Sequence, residues 1–472
     1  MQSRSGYIIL FLLFISYALL SQVKLPDTPQ GKTVQEYVEA FNSGDETLMK
    51  NFFLNHISKE GLAERPTEMR VERMQMFRTD AKSLTLVKML DVSQNAITVL
   101  VKNGQGETLT MSFDFDDNAQ HTLAGISVEM GEVKPVSGPP LNRKQFVATV
   151  KKYLDEQVSN DAFSGAVLIQ REKDELFKQA YGDAEKRFHI PNRTDTKFNI
   201  GSINRYFTRV AIGQLLEQGK LSLDDHVGKL LPDYPNVAVA QKVTVQQLLT
   251  MQSGMGDFFG EKFNNAANDN IQTLQDYLAF FINDSLLFEP GTNRRYSNAG
   301  FIVLGLIIEK LSGEDYYSYV KKHIFEPAGM KNSDWYLLSS VTLNLATGYL
   351  HPEGNDTTWM SNVHILPERG SSAGGGYSTL DDLKNFVEAL LNGKLLSPKY
   401  SQWVVSGNLP SNDPMLPLKE GGIGMAGGTA GVNAVLEFDA RPGDIIVVLS
   451  NYDPPSAEVT ARTLSNLLKR LR

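Results

Sequence analysis

The chain has 472 residues, more than one typical domain needs, so two or three are expected. Hydrophobic residues are 42% and charged residues 21%, ordinary for a soluble globular protein with a sizeable core. The net charge of −8 is spread along the sequence, and without a basic run nucleic acid is not an expected partner. Cysteine is absent, which excludes disulfides, thiol nucleophiles, zinc–thiolate sites and a lipidated-cysteine anchor. The histidines His56, His121, His189, His226, His323, His351 and His364 show neither HxH nor HxxxH spacing, so no local metal motif is visible.

In chain order, residues 1–21 read first as an export signal. Arg4 precedes the uncharged apolar run Tyr7–Leu20, shorter than the ~20 residues a spanning helix needs. Ser16 and Ala18 offer one cleavage pattern and Ser21 another; an uncleaved anchor is the alternative. Either way the body is expected outside the cytoplasm, periplasmic or secreted, with no stable anchor once the signal is cleaved.

Residues 30–132 read as a small α+β domain. Thr33 with Glu36 suggests a capping box, and Val34, Tyr37, Val38 and Phe41 share one helical face. A second helix runs to about Ile57 and another covers Arg70–Phe77. Strands are predicted at Leu84–Val92, Ala96–Lys102, Thr108–Phe115 and His121–Met130. In the third, Leu109, Met111, Phe113 and Phe115 alternate with polar residues, as in a half-buried strand. Helices followed by a meander are an α+β pattern without a catalytic constellation. The Pro/Gly-rich stretch Gly131–Leu141 supplies a linker, 133–141.

Residues 142–472 read as one large domain. Gly165–Gln170 and Leu176–Gly182 form a hairpin around Arg171–Glu175, a charged turn expected to be solvated. Val432–Phe438 and Asp444–Ser450 form a second hairpin around Ala440-Arg441-Pro442-Gly443, followed by an amphipathic helix, Pro455–Leu471. Strands at both ends with helices between predict one antiparallel sheet built from both termini, packed against a helical insert. Trp335, Trp359 and Trp403 read as packing, His189, His226 and His364 as surface or structural, and Tyr377 as either pocket lining or loop packing.

Three segments here carry chemistry. Gly201-Ser202-Ile203-Asn204-Arg205 opens a helix in which Phe207, Ala211 and Leu215 lie four apart, and Gly219 ends it. A serine in such a first turn sits in the positive field of the helix N-terminus, and the residue three on lies on the same face. A plain N-cap serine is the competing reading. Tyr296-Ser297-Asn298, after Pro290-Gly291, pairs a phenol with an amide on a loop. Gly424-Met425-Ala426-Gly427-Gly428-Thr429 opens the last hairpin, and its glycines permit close backbone approach.

Together, in this order, these segments resemble the serine β-lactamase/DD-peptidase/esterase superfamily in its class C-like branch. The resemblance runs from about Phe163 to Pro454. It extends to Gly219–Asp225, Val243–Thr250, Ser253-Gly254-Met255, Gly374–Thr379 and Val447–Asn451. It implies an α+β β-lactamase/transpeptidase-like domain beside the small N-terminal α+β domain. It also implies roles: Ser202 as the acylated nucleophile, Tyr296 as proton shuttle, Asn298 as amide donor to substrate, and the N–H groups of Ser202 and Gly428 as the oxyanion hole. Met425, Gly427, Gly428 and Thr429 would then form the substrate edge. No metal or organic cofactor is implied, and the partner is a small-molecule or peptide substrate.

The chain departs from the pattern twice. Arg205 stands at the catalytic-lysine position, and Met425 where a lysine or histidine usually opens the third motif. Arginine effectively never deprotonates, so Arg205 is no general base, although its charge beside Tyr296 would stabilise negative charge on the phenol oxygen. Methionine suits an apolar substrate better than a β-lactam carboxylate. Two functions follow: a serine hydrolase acting by acyl-enzyme chemistry on an ester, peptide or amide, weakened by Arg205; or an inactive pseudoenzyme binding a peptidoglycan-like or other ligand.

Overall fold

The computed structural model describes residues 23–472 apart from 65, 94, 117, 119, 133–137, 267, 353–357, 407–422 and 439–442. The leader 1–21, most of the linker, and Ala440, Arg441 and Pro442 of the last hairpin lie outside the described residues. The chain forms two compact units, Met1–Ser137 and Gly138–Arg472.

The first unit carries helices α1 (Pro29–Ser43), α2 (Glu46–His56), α3 (Lys59–Glu64) and α4 (Thr67–Ala81), then the antiparallel meander β1 (Leu84–Val92), β2 (Ala96–Asn103), β3 (Thr108–Phe115) and β4 (Leu123–Met130). The helix cap is not at Thr33. Thr28 accepts from Gly31 N–H, Pro29 fixes the first turn, and Gly44 at φ 69° ends α1. Thr33 lies inside the helix and donates to Pro29 O. β4 starts two residues later than predicted because His121, with φ 46°, still belongs to the turn. Helices and sheet meet at Tyr37, whose ring lies edge-on to Phe52 (5.4 Å) and Phe113 (5.3 Å).

The second unit begins before the predicted boundary: Leu141 N–H donates to Arg470 O, and Arg472 N–H to Leu141 O. After α5 (Arg143–Ser159) come β5 (Gly165–Arg171) and β6 (Asp174–Tyr181); β7 (Ile423–Thr429), β8 (Val432–Phe438) and β9 (Ile445–Ser450) come near the end. They form one five-stranded antiparallel sheet of order β7-β8-β9-β5-β6, in which β9 pairs with β5 from Ile445↔Gln170 to Ser450↔Gly165. All six residues of β9 are buried, which requires cover on both faces. Two helices that pack on it are α9 (Ser456–Lys469) and α8 (Leu380–Leu391). Arg171 is not solvated as predicted: it pairs with Asp444 (3.0 Å) and donates to Leu468 O and Leu471 O, tying the sheet to the end of α9.

The helical insert centres on α6 (Arg205–Glu217), buried on nearly every side, and α7 (Asn298–Ser312), which packs against it. Trp335 and Trp403 are core residues. Trp359 packs, with tilted rings, between His351 and Tyr452 and walls the Lys186 ammonium, 4.4 Å from its ring. Among the described residues no helix is long and apolar enough to cross a membrane.

Candidate active site

The site begins where a short strand, Phe198–Asn199, pairs with Tyr377–Ser378 and delivers the chain into a 3-10 turn, Gly201–Asn204, ahead of α6. Ser202 therefore sits in the 3-10 turn rather than in the first α-helical turn. Nor is it the cap of α6: its Oγ lies 2.7 Å from Tyr296 Oη. Gly201 adopts φ +48°, a conformation that favours glycine, and its N–H donates to Asn199 Oδ1 (2.9 Å).

Tyr296 is fixed from both sides. Arg295 N–H donates to Met251 O (2.9 Å), and Ser297 caps α7 by accepting from Gly300 N–H (3.1 Å) while donating to Gly256 O (2.6 Å). Tyr296 is 55% exposed and faces an open cavity.

Arg205 lies one turn beyond Ser202 and is 2% exposed. Its guanidinium carbon sits 4.2 Å from the centre of the Tyr296 ring and 4.6 Å from that of Phe301. Nε donates to Ala373 O (3.0 Å) and Nη2 to Asn298 Oδ1. Burial lowers its pKa, against the opposing pull of Tyr296 and Asp257. Among the described residues Arg205 makes no direct ion pair. Its counter-charge, Asp257, is reached through Asn298, whose Nδ2 donates to Asp257 Oδ2 (2.6 Å), as does its backbone N–H (3.2 Å).

This alters the expectation for Asn298: both ends of its amide are engaged inside the protein, leaving only one side-chain N–H for a substrate. The expectation for Met425 also changes. It is half-buried, packs on the main core and is not among the residues lining the cavity. Its side chain is spent on packing because β7 lies close to the insert. Gly427 is a contact point as well: a Cβ there would fall 2.1 Å from Ile200 O and 2.7 Å from Ser202 N. Gly428 and Thr429 do line the cavity.

The cavity encloses about 580 Å³ and brings together Ser202, Tyr296, Asn298, Gly428, Thr429 and the loop Gly370–Gly375. Tyr377 lines it while buried against the loop, so both readings of that residue apply; burial pushes its phenol up to about 12, and the Asn199 side chain opposes this. His364, read as surface or structural, also lines the cavity. No lysine lines it among the described residues. Nor do these include a cluster of three or more His, Asp or Glu placed to hold a metal.

Two features escaped the sequence. Asp257 follows Ser253-Gly254-Met255, a segment that drew attention, but no local spacing marks it out. Phe258, Phe259 and Phe263 gather with Tyr277 along the cavity; three phenylalanines within six residues were the available signal.

The sequence profile of the Beta-lactamase family matches residues 146–469. A putative penicillin-binding protein of Bacillus subtilis (strain 168), PbpX, is 30% identical over 292 residues, covering 61% of this chain and 71% of that protein. Penicillin-binding protein 4* of the same organism is 33% identical over 267 residues, covering 54% and 58%. The crystal structure of a penicillin-binding protein from Bacillus halodurans superposes with a TM-score of 0.59 at 30% identity, over 66% of this chain and 98% of that one.

Proposed function

Because the chain belongs to the beta-lactamase family, whose members are serine hydrolases, we propose that it hydrolyses an ester, peptide or amide through an acyl-enzyme on Ser202, with Tyr296 in place of the missing lysine as base. One observation carries the proposal: the 2.7 Å contact between Ser202 Oγ and Tyr296 Oη at the cavity.

The ionised phenol oxygen of Tyr296 takes the Ser202 proton as Oγ attacks the substrate carbonyl carbon. The oxyanion forms against the N–H groups of Ser202 and Gly428, donors of a kind that contribute about 10²–10³ each in rate. Tyr296 returns the proton to the leaving group, and the C–O or C–N bond breaks. Water then attacks the acyl-serine, losing its proton to Tyr296, and the acid departs as Ser202 recovers its hydrogen. Arg205 moves no proton. Its fixed charge against the Tyr296 ring stabilises the negative charge on this oxygen before each proton is taken and after it is returned. Absence of the lysine costs on the order of 10²–10⁴ in rate, which leaves a slow enzyme rather than an inert one.

We also place the protein outside the cytoplasm, periplasmic or secreted. Support comes from Arg4 and the apolar run Tyr7–Leu20, and from the likeness to penicillin-binding proteins.

Intact mass after exposure to a fluorophosphonate tests the mechanism. One adduct is expected on the wild type, none on Ser202→Ala, and a rate lowered by about 10²-fold or more on Tyr296→Phe. Wild-type labelling of Tyr296→Phe would remove the proposed base. No adduct on the wild type with a strong one on Arg205→Lys would mean a binding pocket without turnover.

A further inference from the structure

One side of the cavity beside Ser202 is walled by aromatic carbon. Phe258 and Phe259 lie 4.4 Å apart between ring centres, Phe259 and Phe263 5.1 Å, and Phe258 and Tyr277 5.1 Å. All four rings line the cavity, and Phe259 remains 52% exposed there. Among the described residues lining it, none is Asp, Glu, Lys or Arg. Two charges beside the site are already committed, Arg205 to Ala373 O and Asn298, and Asp257 to Asn298 and the Phe259 N–H. Met425, where the third motif usually offers a cation, is packed on the core.

A charged substrate group set against these rings would lose its hydration and gain no ionic partner from them. An uncharged apolar group would cover a phenyl face that otherwise meets water. We propose that the aromatic wall of Phe258, Phe259, Phe263 and Tyr277 is a substrate subsite for an uncharged apolar group, and that this group selects the substrate. The proposal rests on the hydrolase reading for its rates but not for its binding.

The test uses nitrophenyl esters whose acyl chains lengthen from acetyl to octanoyl, with the succinyl half-ester as the charged member. Burial of each methylene is expected to raise kcat/KM about three- to fourfold until the wall is covered. The succinyl ester should be turned over more slowly than the uncharged ester of similar length. The octanoyl-to-acetyl ratio should collapse in Phe259→Ala and recover in part in Phe259→Leu. A ratio near one in the wild type, or one unchanged in Phe259→Ala, overturns the proposal. Calorimetry on Ser202→Ala with acetamide and octanamide reads the subsite without chemistry. Preference for octanamide that Phe259→Ala abolishes supports the subsite even if no ester is turned over, in which case only the hydrolase reading falls. Equal binding of the two amides overturns the subsite.

Discussion

The two sides of the cavity are built from different material. Around Ser202 the wall is main chain: Gly201, the Gly370–Gly375 loop and Gly427–Gly428 approach so closely that a Cβ on Gly427 has no space. Along Phe258, Phe259, Phe263 and Tyr277 the wall is side chain, with one ring half open to solvent. Main chain cannot yield by changing rotamer, so the first wall should tolerate no substitution. The second can repack, so it should respond in proportion to what is removed.

The sharpest way to break this contrast is Gly427→Ala. The new methyl would press on backbone, Ile200 O and Ser202 N, and pushing that N–H aside should cost on the order of 10²–10³ in fluorophosphonate labelling rate. Labelling of this variant at the wild-type rate would show that the main-chain wall is not rigid.

A smaller effect is expected at the junction between the walls, where Asp257 holds Asn298 and lies next to Phe258. Asp257→Asn should lower labelling on the order of 10–10²-fold, since it leaves Arg205 without its indirect counter-charge and lets Asn298 shift. If charge balance is the reason, Arg205→Gln with Asp257→Asn should label no more slowly than Arg205→Gln alone; additive losses would refute it.

The smallest effect on rate is expected from Glu185, which serves as a baseline. It binds Arg187, the Tyr349 hydroxyl and Thr347, contacts that hold its carboxyl at about 2 against a usual 4.5. A carboxyl lowered on folding stabilises the fold above its unfolded pKa, and that contribution drains away as pH falls from about 4.5 towards 2. The melting temperature of Glu185→Gln should therefore be less steeply dependent on pH across this window, while its labelling rate at neutral pH stays that of the wild type. An unchanged acid profile would dismiss the carboxyl as a source of acid sensitivity.

The contrast between the walls also explains what the sequence disclosed. The glycine-rich wall was legible because close main-chain approach demands one residue type at fixed positions, as at Gly201 and Gly427. The strands were legible for a related reason: β5 and β9 are mainly apolar, buried runs because both faces are covered. Asp257 and the aromatic wall were not legible, since their roles depend on loops meeting in space. Arg171 was misread for the same reason, its partners lying some 270 to 300 residues away. Asn298 lines the cavity, but its partners Arg205 and Asp257 were invisible without the fold.

The pairing of β9 with β5 has a consequence for how the second unit comes together. The strand at the middle of the sheet lies about 280 residues after the one beside it, so residues from opposite ends of the unit must meet before any central ladder exists. Closing so long a loop is paid for before contacts return anything, which makes this a slow-folding topology. Until that ladder forms, the apolar edges of β5 and β9 stand unpaired, and this interval is when the protein is most open to aggregation.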